Sequence, residues 1–143
     1  MANDLEFFTL LINKYVDIVF ANEEEAKAFT GKEPEEALRV IAKKCSIAIV
    51  KVGANGSYIR KGTEEIKVSA ISVQKVVDTT GAGDYFASGF LYGLTCGYSL
   101  DKCAKIGAIL RIGQNRTVQG ANNVISEATY VFYNIVKSTV RKF

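Results

Sequence analysis

The sequence predicts an α/β fold: a three-layer αβα arrangement with a mostly parallel sheet covered on both faces, in a single domain over residues 1–143. Three observations lead there. Short, β-branched, mainly apolar runs such as Ile47–Val52, broken only by Lys51, read as strands buried on both faces. Segments with apolar residues at helical spacing alternate with those runs, which is the pattern of helices covering a sheet. The chain has 143 residues, 48% of them hydrophobic and 23% charged, enough to bury a core without a disulfide or metal staple.

The first element is a helix from Asp4 to Tyr15, with Leu5, Phe8, Leu11, Ile12 and Tyr15 on one stripe and Asn3 or Asp4 available to cap it. Asp17-Ile18-Val19-Phe20-Ala21 follows as a buried parallel strand and stops at the polar run Asn22-Glu23-Glu24-Glu25, which opens the next helix. Ala26 and Phe29 belong to that helix, and Gly31 ends it as a glycine cap. Pro34 at a first turn starts another helix running to about Lys44. A second buried strand, Ile47–Val52, ends in Gly53-Ala54-Asn55-Gly56, a tight-turn signal. Ser57–Arg60 and Ile66–Val68 read as a short antiparallel extension joined by the turn Lys61-Gly62-Thr63.

Val76-Val77 then feeds Asp78-Thr79-Thr80-Gly81-Ala82-Gly83-Asp84, a glycine loop opening a helix in which Phe86, Phe90, Leu91 and Leu94 recur up to Gly97. Ser99 or Asp101 caps a further helix whose Ala104, Gly107 and Ala108 form a small-residue face suited to close approach. A last helix, Ser126 to about Lys142, buries Ala128, Val131, Phe132, Ile135 and Val136. No internal repeat, low-complexity tract or linker interrupts the chain.

Composition excludes several function classes. The net charge of +3 comes from 18 basic and 15 acidic residues without a basic run, which argues against nucleic-acid binding. No stretch approaches the roughly 18 apolar residues of a membrane span, and the first residues lack a basic signal-peptide start, so a cytoplasmic location is expected. Cys45, Cys96 and Cys103 form no CxxC pair and read as buried, reduced thiols. Histidine is absent, which removes Ser–His and Cys–His dyads and imidazole metal sites. Acid–base chemistry therefore falls to carboxylates, Lys, Tyr or Cys.

The glycine loop is the motif that carries chemistry. Gly81, Ala82 and Gly83 place bare backbone N–H groups at a helix N-terminus, where they converge on an anion such as a phosphoryl group in transfer. Asp84, in the first turn, is kept ionised by the helix field; it orients an attacking hydroxyl, or alternatively does no more than cap the helix. The loop is not a P-loop, since no Gly-Lys-Ser/Thr follows, and not Gly-x-Gly-x-x-Gly, since Phe86 stands where the third glycine belongs. That failed spacing argues against a dinucleotide-dependent dehydrogenase.

Val77-Asp78-Thr79-Thr80-Gly81-Ala82-Gly83-Asp84-Tyr85-Phe86 closely resembles the C-terminal signature of the ribokinase-like, or PfkB-type, carbohydrate and nucleoside kinases. The resemblance implies a ribokinase-like fold, ATP as phosphate donor, Asp84 as catalytic base, and the amides of Gly81, Ala82 and Gly83 as the anion hole. Asn22-Glu23-Glu24-Glu25 is similar to the family's Asn-x-x-Glu motif, which implies that Asn22 and Glu25 organise phosphates and Mg²⁺, Glu25 through water. Gly53 and Gly56 resemble the Gly-x-x-Gly turn beside the nucleotide. Gly120-Ala121 resembles the Gly-Ala near the adenine, although Asn122-Asn123 after it is more polar than the usual continuation. Asp78 and Thr80 resemble residues that shape a monovalent-cation site, such as one for K⁺, in some members.

The resemblance covers the second half of a full-length member. The expectation is that the lid and the sugar- or nucleoside-binding segment lie outside this sequence. A sheet divided in that way leaves an edge and apolar surface open, which favours self-association or pairing with the missing half. Two readings follow: a phosphotransferase acting on a sugar or nucleoside hydroxyl, and a nucleotide-binding or regulatory assembly module without turnover.

Overall fold

In a computed structural model of the chain, residues 2–71 and 82–113 are described. The chain divides into two compact units, Met1–Ala70 and Ile71–Phe143. Asp78, Thr80, Gly81, Gly120, Ala121 and the expected helix over 126–142 lie outside the described residues.

The first unit holds α1 (Ala2–Tyr15), β1 (Ile18–Asn22), α2 (Glu23–Thr30), α3 (Pro34–Ala42), β2 (Ile47–Lys51), a short 3-10 turn (Gly53–Asn55), β3 (Ser57–Lys61) and β4 (Glu64–Val68). The four strands form one sheet in the order β1-β2-β3-β4. Its parallel part is the β1–β2 pair, with Ile18 opposite Ile47 and Ala21 opposite Val50, joined through α2 and α3. From Ser57 onward the sheet is antiparallel, with Ile59 opposite both Ile49 of β2 and Ile66 of β4. Among the described residues the sheet is therefore mixed: the antiparallel extension signalled by Asn55-Gly56 forms half of it.

Strand β2 is buried from Ile47 through Val50, as its unbroken apolar run requires. Ala48 and Val50 pack with Ala21 against Ala26 of α2 and Ala37, Leu38 and Ile41 of α3. Alanine at four of these positions lets the helices lie close to the strands. Helix α2 ends where Gly31 turns left-handed (φ 68°) and its N–H donates to Lys27 O at 2.7 Å. Polar contacts fasten α3 to the antiparallel strands. Arg39 donates through Nε and Nη2 to the two oxygens of Glu65, at 3.1 and 2.9 Å, while Arg60 Nη1 reaches the same carboxylate at 2.7 Å. Lys67 pairs with Glu35 nearby.

Helix α1 forms where the spacing predicts it, yet Leu5, Phe8 and Tyr15 of its apolar stripe are 44%, 55% and 46% exposed. Periodicity establishes which residues share a stripe and says nothing about whether another element covers it.

In the second unit, α4 (Ala82–Thr95) and α5 (Leu100–Gly113) pack through small residues, as the Ala104–Gly107–Ala108 face suggested. A Cβ placed on Gly89 would lie 2.7 Å from the Gly107 Cα, so the two backbones touch there. Phe86 and Phe90 stack with centroids 6.3 Å apart, and both are buried together with Leu91, Cys103, Ala104 and Leu110. Helix α4 closes in a Schellman motif: Gly97 has φ +74°, its N–H donates to Leu94 O at 3.0 Å, and the Tyr98 N–H reaches Gly93 O at 3.0 Å. Of the two residues expected to cap α5, Ser99 does so, its Oγ accepting from the Lys102 N–H at 3.4 Å.

The cysteines differ from expectation. Cys103 is buried and Cys45 half-buried, but Cys96 is exposed, directly after the end of α4 where the chain turns toward Gly97. Among the described residues no helix is long and apolar enough to cross a membrane.

Candidate functional site

Asn22 is the last residue of β1 and at the same time the N-cap of α2, with extended backbone (φ −88°, ψ 177°). Its Oδ1 accepts from the Glu25 N–H at 2.8 Å, and Glu25 Oε2 accepts from the Asn22 N–H at 2.9 Å. This reciprocal arrangement is a capping box. Three acidic side chains, Glu23, Glu24 and Glu25, fill the first turn, where the helix macrodipole favours negative charge. Asn22 and Glu25 are both exposed. Among the described residues, the Asn22 amide nitrogen and Glu25 Oε1 make no further hydrogen bond, which leaves one hard oxygen and one donor for a ligand.

The Gly53–Gly56 turn follows the neighbouring strand. Asn22 pairs with Lys51, so the Asn-x-x-Glu segment and the glycine turn leave the carboxyl ends of adjacent parallel strands side by side. Such strand ends are where open α/β sheets bind ligands. The turn is held by its own backbone: Val52 N–H to Gly56 O at 2.9 Å, Asn55 N–H to Val52 O at 2.9 Å and Gly56 N–H to Gly53 O at 3.2 Å. Gly56 has φ +93°, and a Cβ there would sit 1.9 Å from Val68 O and 2.7 Å from Ala70 N. Only glycine lets the turn press against the exit of β4. Val68 and Ala70 thus support the turn, and no local pattern signals it, because the contact joins residues more than ten positions apart in the chain.

Asp84 lies in the first turn of α4 and is exposed. Its main-chain carbonyl accepts from Ser88 Oγ at 2.8 Å. Among the described residues its carboxylate makes no hydrogen bond or ion pair. Ala82 begins α4 and Gly83 precedes Asp84 in the same turn. Asn22, Glu25, Gly53 and Gly56 belong to the first compact unit, and Ala82, Gly83 and Asp84 to the second. Among the described residues no group of three or more carboxylate, thiolate or imidazole side chains gathers as a metal cage.

A strand-end cap of Asn-x-x-Glu, a glycine turn on the next strand and a helix opened by Gly-Ala-Gly-Asp occur here in one order along the chain, and the pfkB family carbohydrate kinase profile matches residues 7–120. The chain belongs to the pfkB family of carbohydrate kinases. An ATP-dependent 6-phosphofructokinase of Thermoanaerobacterium thermosaccharolyticum is 38% identical over 104 residues, which cover 71% of this chain and 32% of that protein. Among solved structures, a probable sugar kinase of Rhizobium etli superposes with a TM-score of 0.71 at 48% identity, over 77% of this chain and 34% of that one. An adenosine kinase of Sinorhizobium meliloti superposes with a TM-score of 0.71 at 41% identity, over the same shares of 77% and 34%. The fold is thus ribokinase-like α/β, as the resemblance implied. The chain spans about a third of the length of these relatives.

Proposed function

We propose that this pfkB-family chain carries the phosphoryl-transfer part of a cytoplasmic ATP-dependent kinase that moves the γ-phosphate of ATP to a hydroxyl of a sugar or nucleoside. One observation carries the reading: Asp84 presents an exposed carboxylate in the first turn of α4, immediately after Gly81-Ala82-Gly83. In an in-line displacement the acceptor oxygen bonds to the γ-phosphorus as the bond to the β,γ-bridging oxygen breaks. Asp84 takes the hydroxyl proton, and ADP leaves. The proton departs late in a loose transition state, so Asp84 works chiefly by aiming the oxygen. The amides of Gly81, Ala82 and Gly83 stabilise the charge spread over the equatorial oxygens.

Magnesium, when bound, neutralises phosphate charge. An exposed Glu25 with one oxygen already accepting a backbone hydrogen bond suits a hard cation that keeps most of its waters and is held largely by the nucleotide's phosphates. Glu25 would hold it through water, with the Asn22 amide donating to a phosphate oxygen. Gly53 and Gly56 would border the nucleotide, Gly120 and Ala121 the adenine, and Asp78 and Thr80 a monovalent cation such as K⁺.

The second reading is a nucleotide-binding or assembly module without turnover. A kinase assay with Mg-ATP and a panel of pentoses, hexoses and nucleosides, run beside calorimetry, separates the two. Phosphorylated product that falls by about 10²-fold or more in Asp84→Asn, with nucleotide affinity nearly unchanged, supports the kinase. Nucleotide binding without product for any acceptor favours the module. Undiminished turnover in Asp84→Asn would remove Asp84 from its role.

A further inference from the structure

Asn55-Gly56 is the sole Asn-Gly pair in the sequence, and it sits in the turn between β2 and β3. An asparagine followed by glycine is open to attack by its own chain. The next backbone nitrogen gives up its proton and bonds to the side-chain Cγ as the bond from Cγ to the amide nitrogen breaks. Ammonia leaves, and water then opens the five-membered imide. Glycine favours this reaction because no Cβ shields its nitrogen. Here the fold requires that glycine: Gly56 has φ +93°, and a Cβ on it would run into Val68 O and lie 2.7 Å from Ala70 N.

The two reacting groups are held lightly. Asn55 is exposed, and among the described residues its side-chain amide makes no hydrogen bond. The attacking nitrogen belongs to Gly56, whose N–H donates to Gly53 O at 3.2 Å, the longest of the three backbone bonds that hold the turn. Opening that bond frees the nucleophile. The imide has two carbonyls, and water attacks either. Cleavage at Cγ gives aspartate on a normal backbone. Cleavage at the main-chain carbonyl gives isoaspartate, in which the chain runs through Cβ and Cγ and is one atom longer. Gly56 lies too close to Val68 and Ala70 to accept that extra atom in place, so the turn cannot close again.

We propose that Asn55 is a modification site at which the chain converts itself to isoaspartate, and that the longer backbone holds the Gly53–Gly56 turn open. Water is the only co-reactant. If the turn borders a nucleotide, which rests on the function proposed above, the converted chain loses nucleotide affinity together with the turn.

Ageing the folded chain at mildly alkaline pH tests it, with peptide mass spectrometry to locate the change and chromatography to separate aspartyl from isoaspartyl forms. Asn55 should convert ahead of every other asparagine, and more slowly than in the urea-unfolded chain, where nothing holds the Gly56 N–H. The isolated isoaspartyl form should melt about 3 °C or more below the parent. Freshly prepared Asn55→Asp, which carries the same charge on a normal backbone, should melt close to the parent. Asn55→Gln should age without that loss. An Asn55 that keeps its amide while another asparagine converts overturns the proposal. So does an isoaspartyl form that melts with the parent, or an Asn55→Asp form that melts as low as the isoaspartyl one. A fresh parental chain that binds no nucleotide counts against the proposed function and leaves the assignment of Asn55 standing.

Discussion

The N–H of Asn22 donates to Glu25 Oε2 at 2.9 Å while the N–H of Glu25 donates to Asn22 Oδ1 at 2.8 Å, so the two ends of the Asn-x-x-Glu motif hold each other. One carboxylate therefore has two separable duties: capping α2 and, in the proposed function, organising Mg²⁺. Glu25→Gln retains an acceptor for the Asn22 N–H but loses the charge. We expect its thermal midpoint to stay close to the parent's while the Mg²⁺ dependence of nucleotide binding weakens. Glu25→Ala should lose the reciprocal bond to the Asn22 N–H as well, at about 1 kcal/mol in chemical denaturation, while Asn22 Oδ1 still caps the Glu25 N–H. Parental Mg-nucleotide affinity in Glu25→Gln would leave the motif as a helix cap alone.

Gly107→Ala should destabilise the second unit. Its Cβ would lie 2.6 Å from Phe86 O and 3.1 Å from Phe86 Cδ2, contacts that force α4 and α5 apart. Alanine in a helix interior otherwise gains up to about 1 kcal/mol over glycine. Overpacking of a close contact costs about 1–3 kcal/mol, so the loss should prevail. Denaturation midpoints of Gly107→Ala and Gly89→Ala check this; an unchanged or raised midpoint in both would mean that the helices separate freely.

Acid should act on the link between α3 and the hairpin. The hydrogen bonds from Arg39, followed by those from Arg60, hold the Glu65 carboxyl below the ordinary glutamate range. A carboxyl lowered in the folded state binds fewer protons there than in the unfolded chain. Its stabilisation is full above the unfolded value and disappears as pH falls through the lowered folded value. Glu65→Gln should therefore lose stability at neutral pH and show a flatter acid limb in a plot of melting temperature against pH. Parallel acid limbs for the parent and Glu65→Gln would show that the network carries no linked stability.

Thiol chemistry should follow burial. Desolvation raises the Cys45 and Cys103 thiols above the ordinary range, and Cys103 is closed in against Gly93. Cys96 is exposed. Iodoacetamide at neutral pH should label Cys96 first, with Cys45 and Cys103 labelled only on unfolding, as peptide mass spectrometry would record. Early labelling of Cys103 would indicate that the α4–α5 contact opens readily.

Much of the local architecture was legible because its causes are local. The cap at Gly31, the helix start at Pro34 and the turn at Lys61-Gly62-Thr63 need only backbone preferences and neighbouring hydrogen bonds, and each lies where the residues indicated. The small-residue face of α5 was legible too, since glycine and alanine at helical spacing only make sense against a close neighbour. The exposure of Cys96 was not, because a thiol gives no local sign of whether the next element will cover it. The Glu65 pair with Arg39 was equally silent, since those residues are 26 positions apart.

The amino-acid order alone determined the element types, the glycine loop before Asp84 and the family resemblance, because each depends on residues within a few positions of one another. Tertiary structure decided the rest. It placed the Asn22–Glu25 cap beside the Gly53–Gly56 turn by pairing β1 with β2, made Gly56 obligatory through Val68 and Ala70, and left the apolar stripe of α1 exposed. Those outcomes depend on which surfaces meet across long loops, and a free-energy balance between distant surfaces is not written in any short stretch of chain.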